Sequence, residues 1–235
     1  MFPTSHGESE RLPRGPHHLT RDEVQAHQRE RMLRSVVHHA GTHGYANTSV
    51  ADIVRGARAS RAAFYEQFAS RQECLLAAYH ALMRDLLREL VEVGSQPQDY
   101  LAGVRAGVRA YLDWLEHWPA GSRVCAVEIL TLGAAGLEAR EHTVVRARRL
   151  FGTIAARARR EQPGLPDPPA VVSHAVVLAT MELACAHIRA GRLATLREDL
   201  EEPVLYLWLL GLAGHEVAGA AAGAAVGEPG AESEP

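Results

Sequence analysis

Thr48–Phe68, TSVADIVRGARASRAAFYEQF, is the stretch that decides how this chain is read. It divides into two short helical patterns about a turn at Arg58 and Ala59. In the first, Val50, Ile53, Val54 and Ala57 share one face, and Thr48 or Ser49 supplies the N-cap. In the second, Ser60 caps a helix that turns Phe64 inward and Tyr65 outward. Two helices joined this way can set the second in a DNA major groove while the first braces it.

Outward from that stretch the pattern stays helical. Thr20 and Glu23 resemble a capping box opening a helix at Arg21, with Met32, Leu33, Val36, Val37 and Ala40 at helical spacing and a stop at Gly44. Ser70 and Glu73 form a second such pair before a long helix over about 71–93, striped by Leu75, Leu76, Tyr79, Leu82, Met83, Leu86 and Leu90. Helical segments follow at about 98–118, 122–132, 137–160, 168–190 and 200–215. No period-two strand pattern is found. The expected fold is all-α, a three-helix helix-turn-helix domain followed by a helical domain. The division is a basic arm over 1–20, the DNA-binding domain over 21–70, a sensing and dimerisation body over 71–216, and an unstructured Ala/Gly/Glu/Pro tail over 217–235.

Charge partition supports this division. The net charge is −3, yet residues 11–71 hold ten arginines against five acids, leaving 15 arginines against 23 acids elsewhere. A basic end on an acidic body suits a protein that touches phosphates at one end only. All 25 basic side chains are arginine. The three cysteines, Cys74, Cys125 and Cys185, have no paired spacing, which fits a reducing cytoplasm and neither a disulfide framework nor a zinc module. The N-terminus lacks a signal-peptide core, and no uninterrupted apolar run reaches the roughly 18 residues of a membrane span.

Residues 38–79, HHAGTHGYANTSVADIVRGARASRAAFYEQFASRQECLLAAY, resemble the DNA-binding domain of TetR-type transcriptional regulators. The resemblance covers about 21–80 and rests on Gly44-Tyr45, Thr48-Ser49-Val50, Asp52-Ile53, Ser60, Phe64-Tyr65, Phe68, Glu73 and Leu75-Leu76. It implies a DNA-binding regulator whose body senses a small molecule. Thr48 is expected to offer its hydroxyl and amide to a phosphate, and Tyr65 its phenol. Arg71 stands where the family commonly has lysine at the end of the recognition unit. Ser60 and Arg61 open the recognition helix. Arg61 is placed to read a guanine, worth about 1–3 kcal/mol of discrimination, and Ala62 to meet a thymine methyl. Arg58 occupies the turn position that the family usually gives to glycine, and a phosphate contact is one reading of it. Arg11 and Arg14 in the arm are candidates for minor-groove insertion or for looser electrostatic contact.

The body carries Tyr100, Tyr111, Trp114, Trp118, Cys125, Ile129, Phe151, His174 and Met181. Such residues build a ligand pocket and equally build a core. The resemblance implies a pocket, for which Tyr111, Trp114, Trp118, Cys125, Phe151 and Met181 are the candidates. Val172, Ala175, Val176, Ala179, Leu183 and Ala186, with Leu205, Trp208, Leu209 and Leu212, form two stripes expected to pair with a second copy as a four-helix interface. The resulting homodimer would address a palindromic operator. His39 and His43 share a helix face but have no evident third ligand, so no metal and no cofactor is expected. No nucleophile–base pairing or phosphate loop is visible. The expected protein is a repressor released from its operator by a small molecule. Its rivals are an all-helical enzyme acting on its pocket's occupant, a transcriptional activator and an architectural DNA-binding protein.

Overall fold

A computed structural model describes residues 20–96 and 98–223. Both arginines of the arm, and the tail beyond 223, lie outside the described residues. Nine helices and no strand occur among those described: α1 (Arg21–His43), α2 (Val50–Ala57), α3 (Arg61–Gln67), α4 (Arg71–Ser95), α5 (Tyr100–His117), α6 (Pro119–Ala126), α7 (Ala134–Glu161), α8 (Ala170–Arg189) and α9 (Leu196–Gly223).

Local chemistry sets the ends of the first four helices. Thr20 and Glu23 close a reciprocal capping box on α1, and Gly44 stops it at a φ of 85°. Ser49, not Thr48, caps α2, paired reciprocally with Asp52. Ser60 caps α3 by accepting the Ala63 N–H. At α4 the expected box is half made. Ser70 accepts the Glu73 N–H, while the Glu73 carboxylate accepts the N–H of Ala69.

The first three helices enclose Met32, Val36, Val37, Ala40, Ile53, Phe64 and Phe68, all buried. Ser35 ties α1 to α2 by donating its hydroxyl to the Ile53 carbonyl at 2.8 Å. Gly56 lets the helices come that near, because a Cβ there would sit 2.4 Å from the Ser35 hydroxyl oxygen. The head core continues along α4 into Val124, Ile129 and Ala139 of the body. A second core gathers α5, α7, α8 and α9 around Leu112, Phe151, Leu200, Leu205 and Leu209.

Several boundaries differ from the sequence expectation. The segment at 122–132 is α6 followed by a 3-10 stretch at Glu128–Leu132. Helix α9 begins at Leu196, carries Pro203 inside it, and runs to Gly223 across a non-helical Gly214. Helical backbone therefore extends past 216, where the unstructured tail was expected to begin. Averaged over 18 residues, α8 is long and apolar enough to cross a membrane, with a mean hydropathy of 1.6. Counting uninterrupted apolar runs misses this, because Ser173, His174, Thr180 and Glu182 break the run without lowering the mean far. It packs against α6, α7 and α9.

Candidate functional site

Helix α3, the expected reader, presents a sharply divided surface. Phe64 is wholly buried, whereas Tyr65 is 59% exposed. Ser60, Arg61, Ala62 and Glu66 are exposed with Tyr65. Glu66 was not singled out from sequence, although its place four residues after Ala62 puts it on the same face. Arg61 has no ion-pair partner among the described residues, whereas Arg55 is held by Asp52 at 2.6 Å. Arg58 is exposed and left-handed, with φ 50° and ψ 48°, and its neighbour Ala59 closes the turn on the Val54 carbonyl at 2.9 Å. It is the one non-glycine residue at positive φ among those described.

Two of the expected DNA-binding residues sit differently. Thr48 is 1% exposed; its N–H donates to the Tyr45 carbonyl and its hydroxyl to that of Gly44. Both donors are thus spent on the turn between α1 and α2. Arg71 is also engaged, with Nη1 donating to the carbonyls of Tyr45 at 3.0 Å and of Thr48, and the guanidinium 4.5 Å over the Tyr45 ring. These residues brace the turn that leads into α2 from within. The exposed group at the start of α2 is Ser49.

Behind the head, the body holds an apolar cavity of about 120 Å³. Helix α4 lines it from Tyr79 through Gly94, a length of roughly 22 Å at about 1.5 Å per residue. Helices α5 to α9 supply the other walls, and no charged side chain is among the lining residues. The lining hydroxyls of Ser122, Thr143 and Thr180 donate to the carbonyls of Leu115, Ala139 and Val176. Thr180 also accepts the Trp208 indole N–H at 3.1 Å. Burial pushes the Tyr111 phenol and the Cys125 thiol up, so both stay neutral near pH 7. At one end α4 and α5 cross closely, since a Cβ on Gly103 would lie 2.6 Å from the Gly94 carbonyl oxygen. Arg157 donates to that same carbonyl at 3.1 Å and pairs with Glu161.

Of the six ligand candidates, Tyr111, Trp114, Cys125 and Met181 line the cavity. Trp118 does not; it stacks edge-on with Trp114 and covers Gly121. Phe151 does not either, being buried against Trp208. The wall missed from sequence is α4, whose stripe of Tyr79, Met83, Leu86 and Leu90 reads as plain core. The interface stripes are revised as well. Leu205, Leu209 and Leu212 are buried within the chain, and Val176 with them. Val171, Ala175, Ala186 and Tyr206 are exposed, and Leu178, Ala179, Leu207 and Leu210 half-exposed. No group of three or more potential metal ligands occurs among the described residues.

The divided surface of α3 and the apolar cavity of the body are the two features that the helix-turn-helix reading leads one to expect. Residues 38–78 match the family model for bacterial regulatory proteins of the tetR family. That match covers the helix-turn-helix unit and the start of α4, and does not extend into the rest of the body. No curated protein matches it. Among solved structures, it is similar to the fatty acid degradation regulator FadR from Bacillus halodurans (TM-score 0.68, 14% identity, covering 79% of this chain and 96% of that one). It is similar to FadR from Bacillus subtilis in complex with stearoyl-CoA (0.66, 12%, 80% and 99%). It also resembles a transcriptional regulator from Rhodococcus sp. Rha1 (0.63, 21%, 78% and 95%). At these identities the likeness is one of fold.

Proposed function

We propose that this protein is a homodimeric repressor that leaves a palindromic operator when a long apolar ligand fills the body cavity. The observation that carries the ligand reading is the cavity itself, uncharged and lined along α4 from Tyr79 to Gly94. A slender hydrocarbon chain suits that shape, and each methylene buried contributes about 0.8 kcal/mol. The fold shared with a protein crystallised with stearoyl-CoA supports an acyl ligand. Its polar head would lie at the α4–α5 crossing, beside Arg157.

On the DNA side, Arg61 and Ala62 read bases, while Ser60, Tyr65 and Arg58 position the head on phosphates. Thr48 and Arg71 act indirectly, by fixing the turn that leads into α2. Residues 21–70 serve as the head and 71–216 as the body, with α4 running from the head core to the wall of the cavity. Dimerisation uses the outer faces of α8 and α9. Only 33% of the apolar window of α8 is buried within one chain, and Val171 is 71% exposed. A second copy covering those faces would form a four-helix interface. A protein working this way acts in the cytoplasm, on chromosomal DNA, and performs no catalysis.

The test is footprinting on DNA upstream of the protein's own gene, with and without stearoyl-CoA, for the native protein, Arg61→Ala and Tyr65→Phe. Arg61→Ala is expected to relax base preference by about 1–3 kcal/mol at one position of each half-site. Tyr65→Phe is expected to weaken binding evenly across sequences. If neither substitution alters the footprint, the contact assignment is wrong. If stearoyl-CoA binds and leaves the footprint unchanged, the mode of control is wrong.

A further inference from the structure

Glu128 lies in the 3-10 stretch after α6, inside the body, yet its carboxylate serves the head. It is 4% exposed. One oxygen accepts the backbone N–H of Tyr45 at 2.8 Å, across 83 residues of sequence, and the other accepts Arg123 Nε at 3.1 Å. A buried carboxylate is costly unless paired and hydrogen-bonded, and here both conditions are met by one local and one distant partner.

The position of Tyr45 gives this contact its meaning. Tyr45–Asn47 is the 3-10 turn between α1 and α2, and Thr48 and the Ser49 cap follow it directly. Arg71, at the base of α4, grips the same turn through the carbonyls of Tyr45 and Thr48. Farther along, α4 lines the cavity, and α6 lines it through Ser122, Cys125 and Ala126. Two cavity walls therefore end on one short turn of the head. Helix α6 has little slack to absorb movement on its other side, because a Cβ on Gly41 of α1 would lie 2.2 Å from the Ala120 carbonyl oxygen.

We infer that Glu128 is the positioning residue that couples occupancy of the cavity to the orientation of the reader helix, by holding the Tyr45–Thr48 turn through the Tyr45 N–H. This rests on the regulator reading above. Filling the cavity displaces α6, the Glu128 carboxylate moves with it, and the turn it holds shifts α2 and α3. The contact carries coupling only if its removal changes the effect of cavity filling on DNA binding, and that is what the test reads.

The test is a double-mutant cycle on the full chain, needing no identified ligand. Gly107 lines the cavity, and a Cβ there meets nothing within 4 Å, so Gly107→Phe fills cavity space. Affinity for labelled DNA from upstream of the protein's own gene is measured by anisotropy for the native protein, Gly107→Phe, Glu128→Met and the double variant. With Glu128 present, Gly107→Phe is expected to weaken binding about tenfold; with Glu128→Met, less than about twofold. Glu128→Gln keeps an acceptor for the Tyr45 N–H and is expected to retain the full effect of Gly107→Phe. A merely structural Glu128 lowers the melting temperature but leaves the ratio unchanged. The inference is overturned if Gly107→Phe has the same effect in both backgrounds, or none. Native protein that binds no DNA would instead overturn the regulator reading itself. Should Glu128→Met fail to fold, amide exchange decides: exchange at Tyr45 must quicken in Gly107→Phe, and unchanged exchange refutes the coupling.

Discussion

Replacing Arg58 by glycine should stabilise the protein, and the comparison with alanine isolates why. Arg58 holds the turn between α2 and α3 at φ 50° and ψ 48°. A left-handed backbone costs a residue with a Cβ about 1–2 kcal/mol. Glycine avoids that cost but loses about 0.4–1 kcal/mol through its freer unfolded chain. Taking the middle of each range, the expected net advantage of Arg58→Gly over Arg58→Ala is about 0.8 kcal/mol. At about 2–4 °C per kcal/mol for a chain of this size, the glycine variant should melt roughly 1–4 °C above the alanine variant. Both variants remove the same exposed guanidinium, so their DNA binding should change together. If Arg58 touches a phosphate, each lowers the slope of log affinity against log salt by about 0.9. Calorimetry and a salt series by anisotropy give the two readings. A glycine variant melting at or below the alanine variant would refute the strain argument, and unequal salt slopes would refute a purely electrostatic role.

Three further outcomes are expected. Gly41→Ala should destabilise the protein by more than about 2 kcal/mol in denaturant titration, because its Cβ would meet the Ala120 backbone and α1 and α6 would have to part. Burial, with His142, Arg146 and Arg84 nearby, lowers the pKa of His80 below its ordinary 6.5. The unfolded state then binds the proton first, so stability holds above pH 6.5 and falls as pH drops toward the lowered value. His80→Gln should flatten stability against pH in that window, and an unchanged slope would count against this assignment. Burial pushes the Cys74 thiol up to about 12 and raises Cys125 and Cys185 as well. All three should alkylate far more slowly than a free thiol at pH 7.5, with Cys125 and Cys185 protected further by stearoyl-CoA.

The head was legible in sequence because its signals are local. Caps at Thr20 and Ser60, the stop at Gly44 and the alternation of Phe64 with Tyr65 each act within one turn of helix. Even the left-handed Arg58 was readable from its position in the turn. What sequence missed depends on distance in the chain. Thr48 looks like an exposed cap until Gly44 and Tyr45 fold back onto its donors. Arg71 looks like a surface cation until the turn 23 to 26 residues earlier offers it carbonyls. The stripe of α4 has the same period whether it faces a core or a cavity, so Met83 and Leu86 could not announce a cavity wall. The stripe of Leu205, Leu209 and Leu212 was correctly apolar but faces α5 and α8, not a second copy. Glu128 gave no signal of its link to the head, since its partner there is a backbone N–H 83 residues away.

The most direct test of the account is the affinity of the native protein for its own upstream DNA, measured at fixed salt with and without saturating stearoyl-CoA. Control through the cavity predicts salt-sensitive binding that the acyl ligand weakens at least about fivefold, with DNA weakening acyl binding by the same factor. DNA affinity that is absent, or that stays unchanged while stearoyl-CoA occupies the cavity, would contradict it.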